Sequence, residues 1–382
     1  MWRMAGNLGL TVVLLLSLLL VLCDGENHTS VDYNKEMLEI EWTWIPYDSD
    51  ALRISGRGDY KQGNFVVLMW SGSSVTVGFV GVSLEAVVWS ERIAYLDVFV
   101  DGEKDPSSME ILYYPEDRPT TVPIVKGLPY GPHVVTLYKR TESIFGDWHF
   151  YGVRVLGQPE KDLLPPQPKH KIEFVGNSIT CGSDVMVPTV GMDFDITYQD
   201  SYYGYAGQTA RNLDAEAHII CSSGHGIYVN NDGTMDRLLP EMYDLTGTHS
   251  SKVTAWDHGQ WHPDVVVINL GTNDFASGKN DSTHFVNATV DFVQKVRSLH
   301  PDAKVVLLDG PMLVGEYMVK CRQYLDIAKE ILEENGLTDL YRFSFEPKGD
   351  SPFGYYFHPT KDEAFVDAES LSAWMRSEFG WN

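Results

Sequence analysis

Lys171-Ile172-Glu173-Phe174-Val175-Gly176-Asn177-Ser178-Ile179-Thr180 is the stretch that decides the fold of the second half of the chain. Its first five residues form a short apolar run typical of a buried strand, and Gly176 supplies the tight turn that must follow. Ser178 therefore stands at the carboxyl end of a predicted parallel strand, where open α/β sheets place their ligand crevice. Many Gly-x-Ser turns are purely structural, so the case for a nucleophile at Ser178 depends on later segments.

Strands and helices alternate from residue 171 onward. Strands are predicted at 171–175, 217–221, 265–270, 304–309 and 339–343, with amphipathic helices at 283–299 and 321–335 among those between them. Gly336 ends the second of these helices, and a capping box, Thr360-Lys361-Asp362-Glu363, opens the last one. This alternation predicts a three-layer α/β domain over 171–382 with a parallel sheet covered on both faces.

The front of the chain has a different pattern. β-branched and aromatic runs at 65–70, 75–80, 94–100 and 133–139 are separated by turn residues. Short strands at this spacing predict an all-β sandwich or jelly roll over 31–157. Residues 158–170 contain four prolines and both charge signs, which is typical of a semi-rigid linker between two domains.

The amino terminus has the pattern of a secretory signal peptide. Arg3 gives a positive start, and the apolar run 8–22 is shorter than the ~20 residues that a membrane-spanning helix needs. We expect residues 1–23 to be removed, the alternative being an uncleaved anchor. Sequons at Asn27, Asn280 and Asn287 support a secreted, extracellular glycoprotein.

The charge of the chain limits its partners. The 382 residues include 53 acidic and 29 basic ones, for a formal net charge of −24. Nucleic acids and anionic membrane surfaces bind basic patches, so neither is expected as a partner, and no stable membrane association is expected after signal cleavage. A soluble protein that handles neutral substrates fits this balance.

Three cysteines remain once Cys23 leaves with the signal peptide: Cys181, Cys221 and Cys321. No pair has Cys-x-x-Cys spacing, so a zinc or thioredoxin-like site is not indicated. Cys181 and Cys221 follow the first two strands, which are neighbours in the 2-1-3-4-5 order of a flavodoxin-like sheet. We predict a disulfide between them, with Cys321 free at a helix start; three buried free thiols are the alternative.

Three later positions can serve a reaction at Ser178. Acyl transfer needs a nucleophile, a base that takes its proton and donors that stabilise the oxyanion. His358 lies on a loop before the last helix and is the candidate base. Gly224 and Asn273 each follow a predicted strand, so a bare backbone N–H and a side-chain amide can reach the same crevice. Each feature alone is commonly a turn or a helix-start residue, but their joint occurrence after strands indicates catalysis.

Other candidates are weaker. His258 and His262 have the spacing of a metalloprotease motif without its glutamate, and Gly224-His225-Gly226 lacks the third glycine of a dinucleotide site. We therefore expect neither a metal nor a cofactor. Trp261 is either a sugar-stacking platform or a core residue, and Tyr228 and Asn230 are candidate substrate contacts on the loop after Gly224.

The chain resembles the SGNH (GDSL-like) hydrolases and, in its front half, the jelly-roll domain of carbohydrate esterase family 2. The residues that carry the first resemblance are Gly176-Asn177-Ser178, Ser223-Gly224-His225-Gly226, Gly271-Thr272-Asn273-Asp274 and His358-Pro359. Those that carry the second are Trp70-Ser71-Gly72-Ser73, Phe79-Val80-Gly81 and Tyr138-Lys139-Arg140-Thr141-Glu142. The resemblance implies removal of acetyl groups from an acetylated polysaccharide such as xylan or mannan. It also implies an oxyanion hole formed by the Ser178 and Gly224 N–H groups and the Asn273 side chain.

One position departs from the SGNH pattern. The aspartate that most members carry three residues before the histidine is replaced by Tyr355, and the nearest upstream carboxylate is Asp350. We therefore expect a catalytic dyad of Ser178 and His358. In a dyad, the substitution Asp350→Asn should leave turnover within about tenfold of the wild type. Loss of a true orienting aspartate would instead lower kcat by ~10⁴.

Two rival functions remain open on the sequence. One is a lipase-like or acyl-transfer enzyme on the same scaffold. The other is a carbohydrate-binding protein with a dead site, in which the jelly roll supplies the affinity. A series of p-nitrophenyl esters separates the three, through acetate preference, long-chain preference or no hydrolysis.

Overall fold

The computed structural model describes residues 40–112, 118–189, 192–279, 281–346 and 358–381, and for 105–112 the backbone alone. The predicted signal segment 1–23, Asn27, Asn280, Asp350 and Tyr355 lie outside the described residues. The described residues from 41 onward form one compact unit. Within the described part of the chain, no helix is long and apolar enough to cross a membrane.

The first half is all-β, as the sequence predicts, and its described residues form an antiparallel sheet of ten strands. The strands are β1 (Trp42–Pro46), β2 (Leu52–Ser55), β3 (Gly58–Asp59), β4 (Val66–Leu68), β5 (Ser74–Trp89), β6 (Ala94–Val100), β7 (Glu103–Leu112), β8 (Thr120–Val125), β9 (Gly131–Lys139) and β10 (Trp148–Pro159). Their order is β3-β4-β10-β5-β9-β6-β7, with β1 on β10 and both β2 and β8 on β5. At the β6–β7 hairpin Asp101 and Gly102 have φ of 53° and 88°, the left-handed pair that matches strand twist.

The second half forms a parallel sheet of five strands. They are β11 (His170–Gly176), β12 (Ala215–Cys221), β13 (Val265–Asn269), β14 (Lys304–Asp309) and β15 (Leu340–Ser344), in the order β12-β11-β13-β14-β15. This is the predicted 2-1-3-4-5 order. Every residue of β13 is buried, since helices cover both faces of the sheet and leave no polar side to its strands.

Seven α-helices accompany the parallel sheet in the described residues. They are α1 (Ser178–Cys181), α2 (Tyr205–Asn212), α3 (Leu239–Met242), α4 (Thr272–Ala276), α5 (Ser282–Leu299), α6 (Gly315–Glu334) and α7 (Lys361–Phe379). Gly336 follows α6 with a φ of 85°, in the role that the sequence predicts. Thr360 is the N-cap of α7, but its side chain makes no capping hydrogen bond, so that half of the predicted capping box is wrong.

Two predicted boundaries differ from the structure. β10 continues to Pro159, two residues into the predicted linker, because it stays paired with β5 as far as Phe79. The rest of that segment begins with a 3₁₀ turn at Lys161–Leu163. Helix α6 begins at Gly315, six residues before the predicted start at Cys321.

The two sheets share a buried interface. Arg57, in the first half, pairs with Glu173 of β11 at 2.8 Å, and both side chains are buried. Tyr243 donates a hydrogen bond to the same carboxylate. The indole of Trp70 donates to the backbone oxygen of Leu245 at 3.2 Å. This buried ion pair ties the strand that leads to Ser178 to the β domain.

Candidate active site

Ser178 is the first residue of α1 and directly follows β11. The side chain of Asn177 caps this helix by accepting from the N–H of Ile179 at 3.1 Å. Gly176 has no room for a side chain, since a Cβ there would lie 2.0 Å from Oγ1 of Thr180. The turn is therefore fixed by its neighbours, and it presents a largely buried serine to a cavity at the carboxyl edge of the sheet.

His358 lies within hydrogen-bond distance of Ser178. Its Nε2 is 2.7 Å from the serine Oγ, although the two residues are 180 apart in sequence. Pro359 and the N-cap Thr360 follow it, so the start of α7 holds the histidine at the sheet edge. The structure thus brings together the predicted nucleophile and the predicted base in the geometry that proton transfer requires.

A carboxylate contacts the other nitrogen of His358. Oδ2 of Asp184 is 2.9 Å from Nδ1, and the Asp184 side chain is 1% exposed. The expectation of a dyad without a carboxylate partner is therefore wrong. The partner comes from the loop after α1, six residues beyond the nucleophile, and not from the segment before the histidine.

The backbone of Asp184 is in the left-handed region, with a φ of 57°. Aspartate tolerates this region better than most residues, and non-glycine residues held there cluster at functional sites. Gly182 precedes it with a φ of 71°. The sequence signal that could have pointed to Asp184 is therefore a carboxylate placed just after a glycine turn, close to the nucleophile.

The predicted oxyanion donors face the same cavity as Ser178. Gly224 has a φ of 81°, a conformation that favours glycine and bares its backbone N–H. The side chain of Asn273 lines the cavity, and its Nδ2 donates one hydrogen to the backbone oxygen of His225 at 2.7 Å. That bond orients the amide and leaves its second hydrogen for a substrate oxygen.

Asp274 holds the loop that carries Gly224. Its buried carboxylate accepts the backbone N–H groups of Ile227, Tyr228 and Val229 at 2.9–3.1 Å. Desolvation raises the pKa of Asp274, and these hydrogen bonds oppose the rise. Asp274 belongs to the motif Gly271-Thr272-Asn273-Asp274, from which no role was predicted for it, and it braces this loop.

A disulfide joins the end of α1 to the end of β12. The Sγ atoms of Cys181 and Cys221 are 2.17 Å apart and the Cα atoms 5.5 Å apart, in the pairing that the sequence predicts. Cys321 is free and buried, but it lies in the second turn of α6 and not at a helix start. The bridge ties the nucleophile turn to the strand that leads into the Gly224 loop.

The three weaker candidates have structural roles. Trp261 precedes β13 and stacks on His218 with ring centroids 3.7 Å apart, outside the cavity. The hydroxyl of Tyr228 accepts the N–H of Asp281 at 3.0 Å. Oδ1 of Asn230 accepts the N–H of Gly226 at 3.1 Å. None of the three lines the cavity, and Trp261 takes the core role that the sequence left open for it, whereas Asn231, the residue after Asn230, lies beside Gly224 and lines the cavity.

The cavity has a volume of about 1020 Å³. Polar groups surround Ser178, and the remaining walls are apolar, formed by Phe145 of the β domain with Phe194, Ala276, Met312, Leu313, Val314 and Tyr317. Phe145 and Phe194 stack with ring centroids 5.7 Å apart. The site is thus a polar catalytic centre within a wide apolar crevice.

One group in the described part of the chain has the arrangement of metal ligands: Glu91, Asp147 and His149. It lies apart from the cavity. The Asp147 carboxylate already accepts from Ser250 Oγ at 2.6 Å and from the N–H of Glu91 at 2.9 Å, and it contacts Nε2 of His149 at 2.7 Å. These contacts explain the cluster as part of the domain interface.

Comparison with known proteins matches both halves of the chain. The carbohydrate esterase 2 N-terminal family covers residues 54–166, and the GDSL-like lipase/acylhydrolase family covers residues 174–362. The chain is 33% identical over 336 residues to the cellulase/esterase CelE of Acetivibrio thermocellus. This match covers 87% of the present chain and 40% of the length of CelE. It is 28% identical to an acetylxylan esterase / glucomannan deacetylase of Cellvibrio japonicus, over 81% of this chain and 86% of that protein.

Solved structures give the same relationship. A family two carbohydrate esterase from Clostridium thermocellum, in complex with cellohexaose, has a TM-score of 0.81 and 33% identity. The match covers 87% of this chain and 100% of that one. A family two esterase from Cellvibrio japonicus has a TM-score of 0.81 and 26% identity, over 89% and 99% of the two chains. With both domains present in this order and aligned over a whole relative, the chain belongs to the family two carbohydrate esterases.

Proposed function

We propose that the protein is a serine esterase that removes O-acetyl groups from a polysaccharide of the xylan or glucomannan type. The observation that carries the proposal is the line of contacts from Ser178 Oγ to His358 Nε2 at 2.7 Å and from Nδ1 to Asp184 at 2.9 Å. Nucleophile, base and orienting carboxylate in hydrogen-bond reach form the arrangement that activates a serine.

In the first half of the reaction, Ser178 Oγ attacks the acetyl carbonyl carbon and His358 Nε2 takes the hydroxyl proton. The carbonyl oxygen becomes an oxyanion, which the N–H groups of Ser178 and Gly224 and the amide of Asn273 stabilise. His358 then gives its proton to the sugar oxygen as the C–O bond breaks. The deacetylated sugar leaves, and the acetyl group remains on Ser178.

In the second half, His358 takes a proton from a water molecule that attacks the acetyl–enzyme. The same donors stabilise the second tetrahedral intermediate. Its collapse returns the proton to Ser178 Oγ and releases acetate. Asp184 accepts the Nδ1–H of His358 throughout, which keeps Nε2 available and stabilises the imidazolium form.

The substrate class is supported by the relatives and by the charge of the chain. Two relatives are named as acetylxylan esterase / glucomannan deacetylase, and a solved relative holds cellohexaose. A net charge of −24 suits uncharged glycans better than anionic ones. The flat rings of Phe145 and Tyr317 offer surfaces on which pyranose rings can pack.

A second candidate function follows from the apolar walls of the cavity. The side chains of Met312, Leu313 and Val314 give room and affinity for an acyl group longer than acetyl, as a lipase-like or acyl-transfer enzyme would need. Rates on p-nitrophenyl acetate, butyrate and octanoate decide between the two functions. The proposal predicts the highest kcat/KM on acetate, and a rise with chain length would favour the second candidate.

The test on natural substrates is acetate release from a panel of acetylated xylan, glucomannan and pectin, with Ser178→Ala as control. We expect release from xylan or glucomannan and none with the variant. A protein that binds these glycans without releasing acetate would be the dead carbohydrate-binding protein that the sequence left open.

We further propose that the protein is secreted and glycosylated. The Cys181–Cys221 disulfide supports an oxidising compartment. Asn287 is exposed on α5, although Thr289 of its sequon is buried in the same helix. Peptide-N-glycosidase treatment of the protein from culture medium, followed by intact mass, tests both statements.

A further inference from the structure

Glu142 is a buried carboxylate of the β domain that reaches the oxyanion loop of the other domain. It lies three residues after β9 and is 1% exposed. Its Oε2 accepts the backbone N–H of Ser223 at 2.7 Å, and its Oε1 accepts the Ser223 hydroxyl. Ser223 directly precedes Gly224, so this bidentate contact fixes the residue next to an oxyanion donor.

The same carboxylate also reaches the loop that carries Asp184, through Gln199. The backbone N–H of Glu142 donates to Oε1 of Gln199, and Nε2 of Gln199 donates to Oε1 of Glu142, each at 2.8 Å. These two bonds fix the orientation of the Gln199 amide. Nε2 of Gln199 also donates to Ser183 Oγ at 3.2 Å, and Ser183 precedes Asp184. The hydroxyls of Ser183 and Ser223 are themselves 3.2 Å apart.

Arg140 anchors this network to the β domain. Its guanidinium donates to the backbone oxygen of Gln199 at 3.0 Å and to that of Thr197 at 2.7 Å. The backbone oxygen of Arg140 accepts the N–H of Ser201 at 3.0 Å. Residues 197–201 are therefore held by the segment that carries Glu142.

We propose that Glu142 is a positioning residue for ester hydrolysis, through which the β domain completes the active site. The inference rests on the proposed function. Glu142 does not line the cavity and acts through Ser223 and Gln199. It holds the Gly224 N–H and the Asp184 carboxylate in one rigid cluster, so both ends of the catalytic machinery depend on one side chain of the other domain.

Glu142→Gln tests this with almost no change in volume. A glutamine has one acceptor atom where Glu142 uses two, so its NH₂ group must face a donor, either the Ser223 N–H or the Gln199 amide. A buried donor then loses its acceptor and the loop shifts. Because a displaced oxyanion donor costs roughly 10–100-fold, we expect kcat to fall by that factor.

Glu91→Gln is the matched control. Glu91 is also a β-domain carboxylate that accepts an N–H, at 3.1 Å, and a hydroxyl from one serine of the other domain, Ser251, but that serine is outside the cavity. Its loss removes an interdomain contact between the same chemical groups, in a more exposed position, without touching the site. Ser223→Ala is a milder second variant: it keeps the backbone contact but removes the hydroxyl that bonds Oε1 of Glu142, so boronate binding should weaken by a smaller factor.

The experiment measures kcat and KM on p-nitrophenyl acetate, the urea midpoint, and the affinities for methylboronic acid and for a deacetylated xylo-oligosaccharide. The boronate becomes tetrahedral on Ser178 and needs the oxyanion hole, whereas the oligosaccharide needs only the crevice. For Glu142→Gln we expect lower kcat and weaker boronate binding, with oligosaccharide affinity unchanged. Glu91→Gln should match the wild type in kcat and in both affinities.

Two results would overturn the positioning role. One is a Glu142→Gln variant with kcat and boronate affinity within twofold of the wild type. The other is a parallel loss in Glu142→Gln and Glu91→Gln, which would mark a general effect of the interface. If Glu142→Gln does not fold, a Ser223→Ala variant with unchanged boronate affinity gives the same refutation. Failure of the proposed function itself is recognised separately, by hydrolysis that survives in Ser178→Ala.

Discussion

Replacing Asp184 by asparagine tests the catalytic role of the carboxylate that contacts His358. The change keeps the size of a side chain that is 1% exposed and 2.9 Å from Nδ1 of His358. It removes the negative charge that stabilises the imidazolium formed when Ser178 gives up its proton. Little solvent reaches this contact, so screening by water is weak.

The expected magnitude follows from the two ways in which the new amide can lie. If its NH₂ faces His358, the histidine must present a lone pair at Nδ1 and carry its proton on Nε2, where it cannot act as a base. If its oxygen faces His358, the NH₂ takes the place of Oδ1, which is buried and has no hydrogen-bond partner within the described residues. The first arrangement removes the base, and the second leaves a buried N–H donor without an acceptor. We therefore expect kcat to fall by ~10⁴, the loss that follows when an orienting aspartate becomes asparagine.

The assay is steady-state hydrolysis of p-nitrophenyl acetate, with far-UV circular dichroism to confirm folding. Asp350→Asn, at a position outside the described residues, is the control and should stay within about tenfold of the wild type, against the ~10⁴ that a true orienting aspartate costs. A folded Asp184→Asn protein with nearly full kcat would refute the reasoning. A large loss in Asp350→Asn alone would move the role to that residue.

Three further predictions concern the nucleophile, the disulfide and acid stability. Ser178→Ala should abolish acetate release and leave the urea midpoint unchanged, because it removes one hydroxyl at a cavity wall; more than a few per cent residual release would exclude Ser178. Thiol titration of the denatured, unreduced mature protein should find one free thiol, Cys321, whereas three would eliminate the Cys181–Cys221 bridge. Burial lowers the pKa of His218 to about 3 and that of His258 to about 4, below the unfolded value of about 6.5. As the pH falls from about 6.5 to 4, the unfolded state therefore takes up protons that the folded state does not, and stability declines. His218→Phe, which keeps a ring against Trp261, should flatten the dependence of the urea midpoint on pH in this window, and an unchanged slope would contradict it.

Much of the α/β domain could be predicted because its signals are local. A strand such as Val265–Asn269 is buried along its whole length and reads as a continuous apolar run. Ser178, Gly224 and Asn273 each follow such a strand, and parallel strands bring their carboxyl ends to one edge. Position in the sequence was therefore enough to place these residues around one cavity.

The features that the sequence did not predict depend on contacts between distant parts of the chain. Asp184 contacts His358 although the two residues are 174 positions apart in the sequence, and no local pattern predicts a contact between two such loops. Glu142 acts from a different domain. For Trp261 the sequence left two roles open, and the structure shows the core role, with its ring packed on His218.

The start of α6 was missed for a related reason. Val314 and Tyr317, at its beginning, are exposed apolar residues because they line the cavity. They interrupt the amphipathic pattern that would have marked the first turns of the helix. The apolar side chains that the cavity needs therefore hid the helical pattern at the start of α6.

The measurement that tests the central claim most directly is the location of the covalent adduct formed by a fluorophosphonate. This reagent reacts with a serine that a neighbouring histidine activates, and peptide mapping identifies the modified residue. The account predicts one adduct per chain, on Ser178, with loss of acetate release in proportion to labelling and slower labelling in Asp184→Asn. An adduct on another residue, or full acetate release from protein labelled on Ser178, would contradict it.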